Sequence, residues 1–573
     1  MIPSPLRFVP HPITDRAWWD QVAGDARWKA WRAQILAWAD AAPAKPERLE
    51  ASDYLSVRRR QDRLPGDRFT REARRALAAL AIRRCLVGGE LRAGDDDRLL
   101  DTLWAQVTEP TWTHQAHVGP RDLPPHDRPG LDLMATEQAA FTAELIELLG
   151  PWLAVQSDTL IATMIGAIDR QVLTPFGAGI AVGWDRDAPT NNWIGVCAGS
   201  ILCACESLAA LGHPRPAARA RAIEGLRRYV VHAFTPDGEC DEGIGYWYYG
   251  MIMASLGWTR LDPAEWPARD RLARVADYPR RCHLFGDAFL SGNDSGMESR
   301  AGLSFVPWLA RGLQDEWLWS WSRRAPATGE RHLGLLLREC EALAWCPPSG
   351  EPPPPAAPVY LSDQQAGVLR HGRLVAALAG GTNAENHNHN DLGHLVVALD
   401  ERFVLPDFGA PKPYPGDFFG PKRYGFLVAG SRGHSVPRIN GHEQREGAVA
   451  AGKLLAWDGA RLALDLTAAY APEAGLRSWT RELTAEGGGF MLTDRFVLER
   501  DGTVEHALWS VGPFAGNGLA IEVAPAVAPV DEIHDMAQHG VGHVFDEPCI
   551  RRAWTYAVRA GEELVVVTRI RAA

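Results

Sequence analysis

The sequence predicts an α+β chain with a helical N-terminal domain at 1–346, a Pro-rich linker at 347–358 and an antiparallel β-sheet domain at 359–573. Three observations carry this. From about residue 15 to 345 apolar side chains recur at three- and four-residue spacing, the period of an amphipathic helix. The stretch PPSGEPPPPAAP then excludes both helix and central strand, because proline lacks the amide donor and fixes its backbone angle. Beyond it the period falls to two, in short β-branched runs separated by Gly and Asp turns.

Within the helical part, 71–87 (REARRALAALAIRRCLV), 137–155 (EQAAFTAELIELLGPWLAV) and 195–212 (GVCAGSILCACESLAALG) are the clearest segments, the last closing on Gly212 in a C-cap position. That last segment is almost without charge, and a helix apolar on every side must be surrounded by other helices. Many helices without intervening strands predict helix pairs in a ring or stacked layer, with loop ends lining a central cleft. Two such loops, 184–195 (WDRDAPTNNWIG) and 234–250 (FTPDGECDEGIGYWYYG), carry more polar and aromatic side chains than a connector needs. In the second domain GVLRHGRLVAALAGG, HLVVALDERFVLPDFG, RLALDLTAAYA, SWTRELTAEGGGFMLTDRFVLE, EHALWSV and ELVVVTRIRA predict strands, in two packed sheets.

Composition narrows the function. At 573 residues the chain is too long for one core. A net charge of −11 and a pI near 5.9 argue against a nucleic-acid surface, while a local pocket field still accommodates an anionic substrate. The 22 tryptophans are anchors for helix packing and surfaces for stacking flat ligands such as sugar rings. Nine irregularly spaced cysteines without a CxxC pair read as reduced core thiols. The N-terminus lacks a basic region followed by an apolar run, and no window has the uninterrupted apolar length of a membrane span. The expectation is therefore a cytoplasmic chain, or a periplasmic one if this is a processed form, with a homodimer as candidate assembly and neither nucleic acid nor membrane as partner.

The densest concentration of ligand-type side chains is Asn386 to His394, NHNHNDLGH. In an extended strand His387 and His389 would project from one face, as two metal ligands or as one ligand beside one catalytic group. A hairpin would return Asp407 alongside His389, and His434 would complete a His, Asp, His set for zinc. The alternative is a set of polar loop residues satisfying one another by hydrogen bonds. Tyr246 and Tyr249 in YWYY are packing residues, or an acid or base if a neighbour shifts the phenol. Asn191 and Asn192 are a helix cap and turn pair, or amides for a substrate carboxylate.

In their order, NNWIGVC, DEGIGYWYYG, DQQAGVLR, NHNHNDLGH, VLPDFG, KRY and HSVPRING resemble the heparinase II/III-like polysaccharide lyases, a group that includes alginate and oligoalginate lyases, over about residues 130–510. The resemblance implies an (α/α) toroid joined to an antiparallel β-sandwich-type domain, with the active site in the cleft between them. It implies that Asn192, with Asn191 beside it, neutralises a uronate carboxylate, and that Tyr246 is the catalytic base or acid, with Tyr249 the competing choice. His387 would act in proton transfer or charge neutralisation, and Tyr424 matches a tyrosine near the cleft. Trp193, Glu242 and Arg423 flank these positions as substrate-binding candidates. His389, Asp407 and His434 match the ligands of one structural zinc ion.

The implied activity is β-elimination on an anionic oligo- or polysaccharide: loss of the C5 proton of a uronic acid and expulsion of the C4 oxygen. Some members carry a histidine beside the neutralising Asn, where this chain has Trp193, which leaves the identity of the acid open. The competing readings are a glycoside hydrolase, for which adjacent Asp241 and Glu242 make a poor carboxylate pair, and a non-catalytic glycan-binding relative.

Overall fold

The computed structural model describes all residues except 5, 61, 89–93, 118–122, 124–129, 181, 186, 188–190, 291, 325–331, 352, 355, 356, 416 and 546. Parts of the expected linker and of the 184–195 loop thus lie outside the described residues. The observed class is the expected α+β combination of a helical N-terminal part and C-terminal antiparallel sheets. The chain divides into two compact units: residues 1–233, 248–273 and 300–353, and residues 234–247, 274–299 and 354–573. Two stretches assigned to the helical domain from sequence, 234–247 and 274–299, therefore group with the sheets.

In the helical unit the three segments read from sequence form the helices Leu64–Val87, Leu133–Gln156 and Trp193–Ala210. Each begins earlier than its periodicity indicated. Asp132 caps the second, its carboxylate accepting from Ala135 N. Trp193–Ala210, interrupted by Glu206, has the length and mean hydropathy to cross a membrane, but 83% of it is buried. Its small residues allow this: a Cβ on Gly199 would lie 2.5 Å from Ala254 Cα. A buried charge is paired at Glu144. Glu144 accepts from Arg260 at 2.9 Å and from Arg338 at 3.0 Å, and both arginines are almost fully buried.

In the sheet unit every segment expected to be extended forms strands, but in three larger antiparallel sheets of five, six and four strands rather than two. Leu369, Val397, Leu464, Leu483, Leu492, Val504, Leu508 and Ile570, from all three sheets, share one apolar core. Alternation explains the burial: along Leu476–Glu486, Trp479, Arg481 and Leu483 point inward. Arg481 is tolerated there because Asp494, directly opposite on the next strand, pairs with it at 2.7 and 2.9 Å. The remaining nitrogen, Nη1, donates to the carbonyls of Gly393 at 2.6 Å and Ser435 at 2.8 Å. Those residues adjoin His394 and His434, so the core arginine fixes the two loops that carry imidazoles. All nine cysteines are buried and unpaired.

Candidate functional site

NHNHNDLGH is a loop, not a strand, so the two-residue spacing of His387 and His389 does not place them on one face. His387 sits in the left-handed region at φ 59°, a conformation costing a non-glycine residue about 1–3 kcal/mol that persists only when its surroundings impose it. Here the carbonyl of His387 accepts from Asp294 N at 3.1 Å and from Arg423 Nη2 at 2.8 Å. Asn293, itself at φ 64°, accepts from His389 N at 3.1 Å. The segment around 293–294 thus clamps the histidine loop.

That constraint turns His387 onto Tyr246. Their rings stack with centroids 4.2 Å apart, and the Tyr246 hydroxyl lies 3.1 Å from His387 Nδ1. The same nitrogen is 2.8 Å from Asp294 Oδ2, while Nε2 is 3.6 Å from Glu242 Oε1. A second phenol, Tyr414, stands 2.8 Å from the Tyr246 oxygen. Burial raises the Tyr246 phenol well above the ordinary tyrosine range, and Tyr414, Asp294 and Glu242 add to the shift. Burial also opposes charge on Asp294, but hydrogen bonds from His387, His389 and Arg423 outweigh it and hold the carboxyl well below its usual range.

Tyr424, matched by resemblance to a tyrosine near the cleft, accepts from Asn388 Nδ2 at 3.4 Å, and it is Tyr414 that meets Tyr246. Arg423, expected at the substrate, is 8% exposed, with Nε and Nη2 bonded to Asp294 and the carbonyls of His387 and Asn388 and the guanidinium 4.6 Å over Phe418. It organises the loop. Phe419, with 56% exposure, presents its ring 5.5 Å from that of His387.

In the helical unit Asn191 makes a local turn, its Oδ1 accepting from Trp193 N at 3.1 Å. Asn192 occupies the N-cap position of Trp193–Ala210 without capping it through its side chain. Trp193 packs on His117 at 4.9 Å. The Tyr249 hydroxyl donates to Glu137 at 3.0 Å, and burial raises its phenol far above the usual range.

The hairpin Leu395–Leu399 and Arg402–Leu405 does return Asp407, but opposite His394 rather than His389, because the paired strands begin at residue 395. His394, Asp407 and His434 place ligand-type atoms within 4.8 Å of one another. Asp407 Oδ2 is 3.4 Å from both His394 Nε2 and His434 Nδ1, close to the tetrahedral edge of about 3.3 Å set by bonds of roughly 2.0–2.1 Å to zinc. His389 lies outside that trio, its ring 5.3 Å from that of His434. Asp407 Oδ2, His434 Nδ1, His394 Nε2 and His389 Nδ1 are all buried without a hydrogen-bond partner, a set that calls for a shared ligand.

Hydrogen bonds separate these four. Burial and neighbouring His434 push His394 down to about 3, so its ring is neutral. Its Nδ1 accepts from Ser435 N at 2.9 Å, which leaves the ring proton on Nε2, facing Asp407. A protonated nitrogen cannot ligate. His434 is arranged the other way: Nε2 donates to the Val428 carbonyl at 3.0 Å, while Nδ1 faces Asp407 Oδ2 at 3.4 Å, and that carboxylate raises the imidazole against the effect of burial. His389 matches it, with Nε2 on Asp294 Oδ1 at 3.0 Å and Nδ1 unbonded. Proximity favours His394 as third ligand; tautomer chemistry favours His389, with His394 as a donor to Asp407.

Sequence reasoning missed Asp294, Tyr414 and the part played by His394. Asp294 and Tyr414 lie in SGNDSG and PYPGDFF, where nothing local separates a site residue from a turn.

The fold of a helical part and antiparallel sheets is that of a class of solved polysaccharide lyases. The chain is similar to heparinase III (TM-score 0.58, 13% identity, covering 97% of this chain and 91% of that one). A second heparinase III gives a TM-score of 0.63 at 12% identity, over 94% and 84%. The Streptomyces coelicolor A3 chondroitin AC lyase, in complex with chondroitin sulphate, gives 0.53 at 13%, over 97% and 82%. At these identities the likeness is one of fold. No family model and no curated protein matches the chain.

Proposed function

We propose that the protein is a lyase that cleaves uronic-acid-containing glycans by β-elimination, with Tyr246 and His387 as its proton-transfer groups. The contact between the Tyr246 hydroxyl and His387 Nδ1 carries this reading, since it sets a phenol and an imidazole within reach of one sugar ring. Tyr246, neutral at rest because its phenol is raised, is poised as acid rather than base. His387 then takes the C5 proton on Nε2. The C–H electron pair becomes the C4–C5 double bond, the C4–O bond breaks with its pair on oxygen, and that oxygen receives the Tyr246 proton. Return of the imidazole proton to the phenolate through solvent resets the site. The exposed face of Phe419 offers a sugar ring an apolar surface beside His387.

Asp407 Oδ2, His434 Nδ1 and His389 Nδ1 would hold a zinc ion, with His394 Nε2 beside them 3.4 Å from Asp407 Oδ2. Bound there, zinc would supply cross-linking of three loops rather than a catalytic step. The test is incubation with a panel of uronate-containing oligosaccharides followed by ultraviolet absorbance and product mass. An absorbing product lighter than its hydrolytic counterpart by one water is expected; hydrolytic products, or none across the panel, would remove the reading.

A further inference from the structure

Asp294 of the sheet unit meets three side chains at once. Its side chain is fully buried. Oδ2 lies 2.8 Å from His387 Nδ1; Oδ1 lies 3.0 Å from His389 Nε2 and 2.7 Å from Arg423 Nη2. An ionised carboxylate only accepts. Each imidazole nitrogen facing it must therefore carry the hydrogen, and the other nitrogen of each ring is left with its lone pair. For His387 that nitrogen is Nε2, on a ring 25% exposed and 3.6 Å from Glu242 Oε1, beyond hydrogen-bond reach; for His389 it is Nδ1, buried without a partner near His434. The two histidines are thus set as opposite tautomers by one residue.

We propose that Asp294 is a positioning residue that fixes both tautomers, turning the basic nitrogen of His387 toward the substrate and that of His389 toward the metal-ligand cluster. Only the task given to His387 rests on the lyase reading. The geometry also dictates how the two halves come apart. Arg423 donates and needs an acceptor, so in Asp294→Asn the amide oxygen occupies the Oδ1 position and continues to hold His389. The amide N–H then faces His387 Nδ1, which can no longer carry a hydrogen.

The experiment is ¹⁵N NMR of histidine-labelled protein, with the His387 and His389 signals assigned by His387→Gln and His389→Gln, together with elemental analysis and steady-state kinetics. In the wild type, hydrogen is expected on Nδ1 of His387 and Nε2 of His389. In Asp294→Asn the His387 tautomer inverts, bound zinc stays at the wild-type ratio, and kcat falls about 100-fold or more with KM within threefold. Asp294→Ala loses zinc as well. A wild type with the reverse tautomer at either ring, or an Asp294→Asn protein whose His387 is unchanged, overturns the proposal, and the wild-type spectrum decides even if the variants fail to fold. A wild type inactive on every uronate with the expected tautomers would refute the lyase reading and leave the role of Asp294 standing.

Discussion

Arg481 and Asp494 face each other across adjacent strands in full burial, and the arginine's spare nitrogen holds the backbones beside His394 and His434. Stability and site geometry therefore share one ion pair. Arg481→Met should leave Asp494 buried without its cationic partner, at a cost of about 3–5 kcal/mol. Denaturant unfolding measures it, and a loss under about 1 kcal/mol would detach the pair from both roles.

The two tyrosines of the YWYY segment should separate cleanly. Tyr246→Phe removes the hydroxyl between His387 and Tyr414 and is expected to lower kcat roughly 10²- to 10⁴-fold with substrate binding retained. Tyr249→Phe deletes only a bond to Glu137 and should cost about 1 kcal/mol of stability with kcat nearly unchanged. The opposite pattern in the kinetics would transfer the role to Tyr249.

Metal content discriminates between proximity and tautomer chemistry at the imidazole cluster. His389→Ala and His434→Ala should each abolish bound zinc and lower the melting temperature, whereas His394→Ala should retain most of the zinc with affinity weakened about 10- to 100-fold, as for an outer donor. Zinc lost only in His394→Ala would restore the nearest trio as the ligand set.

Phe419 should act on binding alone. Its exposed ring beside His387 predicts that Phe419→Ala raises KM several-fold and leaves stability within about 0.5 kcal/mol. A fall in kcat with KM fixed would speak against a stacking surface.

Glu109 in the helical unit gives a signed pH prediction. Burial raises its carboxyl from 4.5 to about 7, and Oε1 has no hydrogen-bond partner. An acid with a raised folded pKa binds more protons folded than unfolded, so its stabilising contribution is complete below about 4.5 and is lost as pH climbs through about 7. Glu109→Gln should accordingly melt higher than the wild type at pH 8, with the gap closing toward pH 4. Parallel melting curves at both pH values would show that Glu109 ionises in the folded protein as it does in water.

Periodicity by itself determined much of this protein. The helical segments, the prolines between the parts and the strands are local properties, set by which faces of 3.6- and two-residue repeats are apolar. Residue type likewise singled out Tyr246, His387, Asp407 and His434, because imidazole, phenol and carboxylate in that density have few bland uses. Which atoms meet is not local. A strand would have aligned His387 with His389, but the loop opposes them, since Asn293 and Asp294, some 90 residues earlier in the chain, impose a left-handed turn and bind each ring through a different nitrogen. Strand register returned Asp407 to His394, and a backbone N–H from Ser435 occupies Nδ1 of that nearest imidazole. Tautomers depend on hydrogen bonds between residues distant in the chain, and only the tertiary structure brings those residues together.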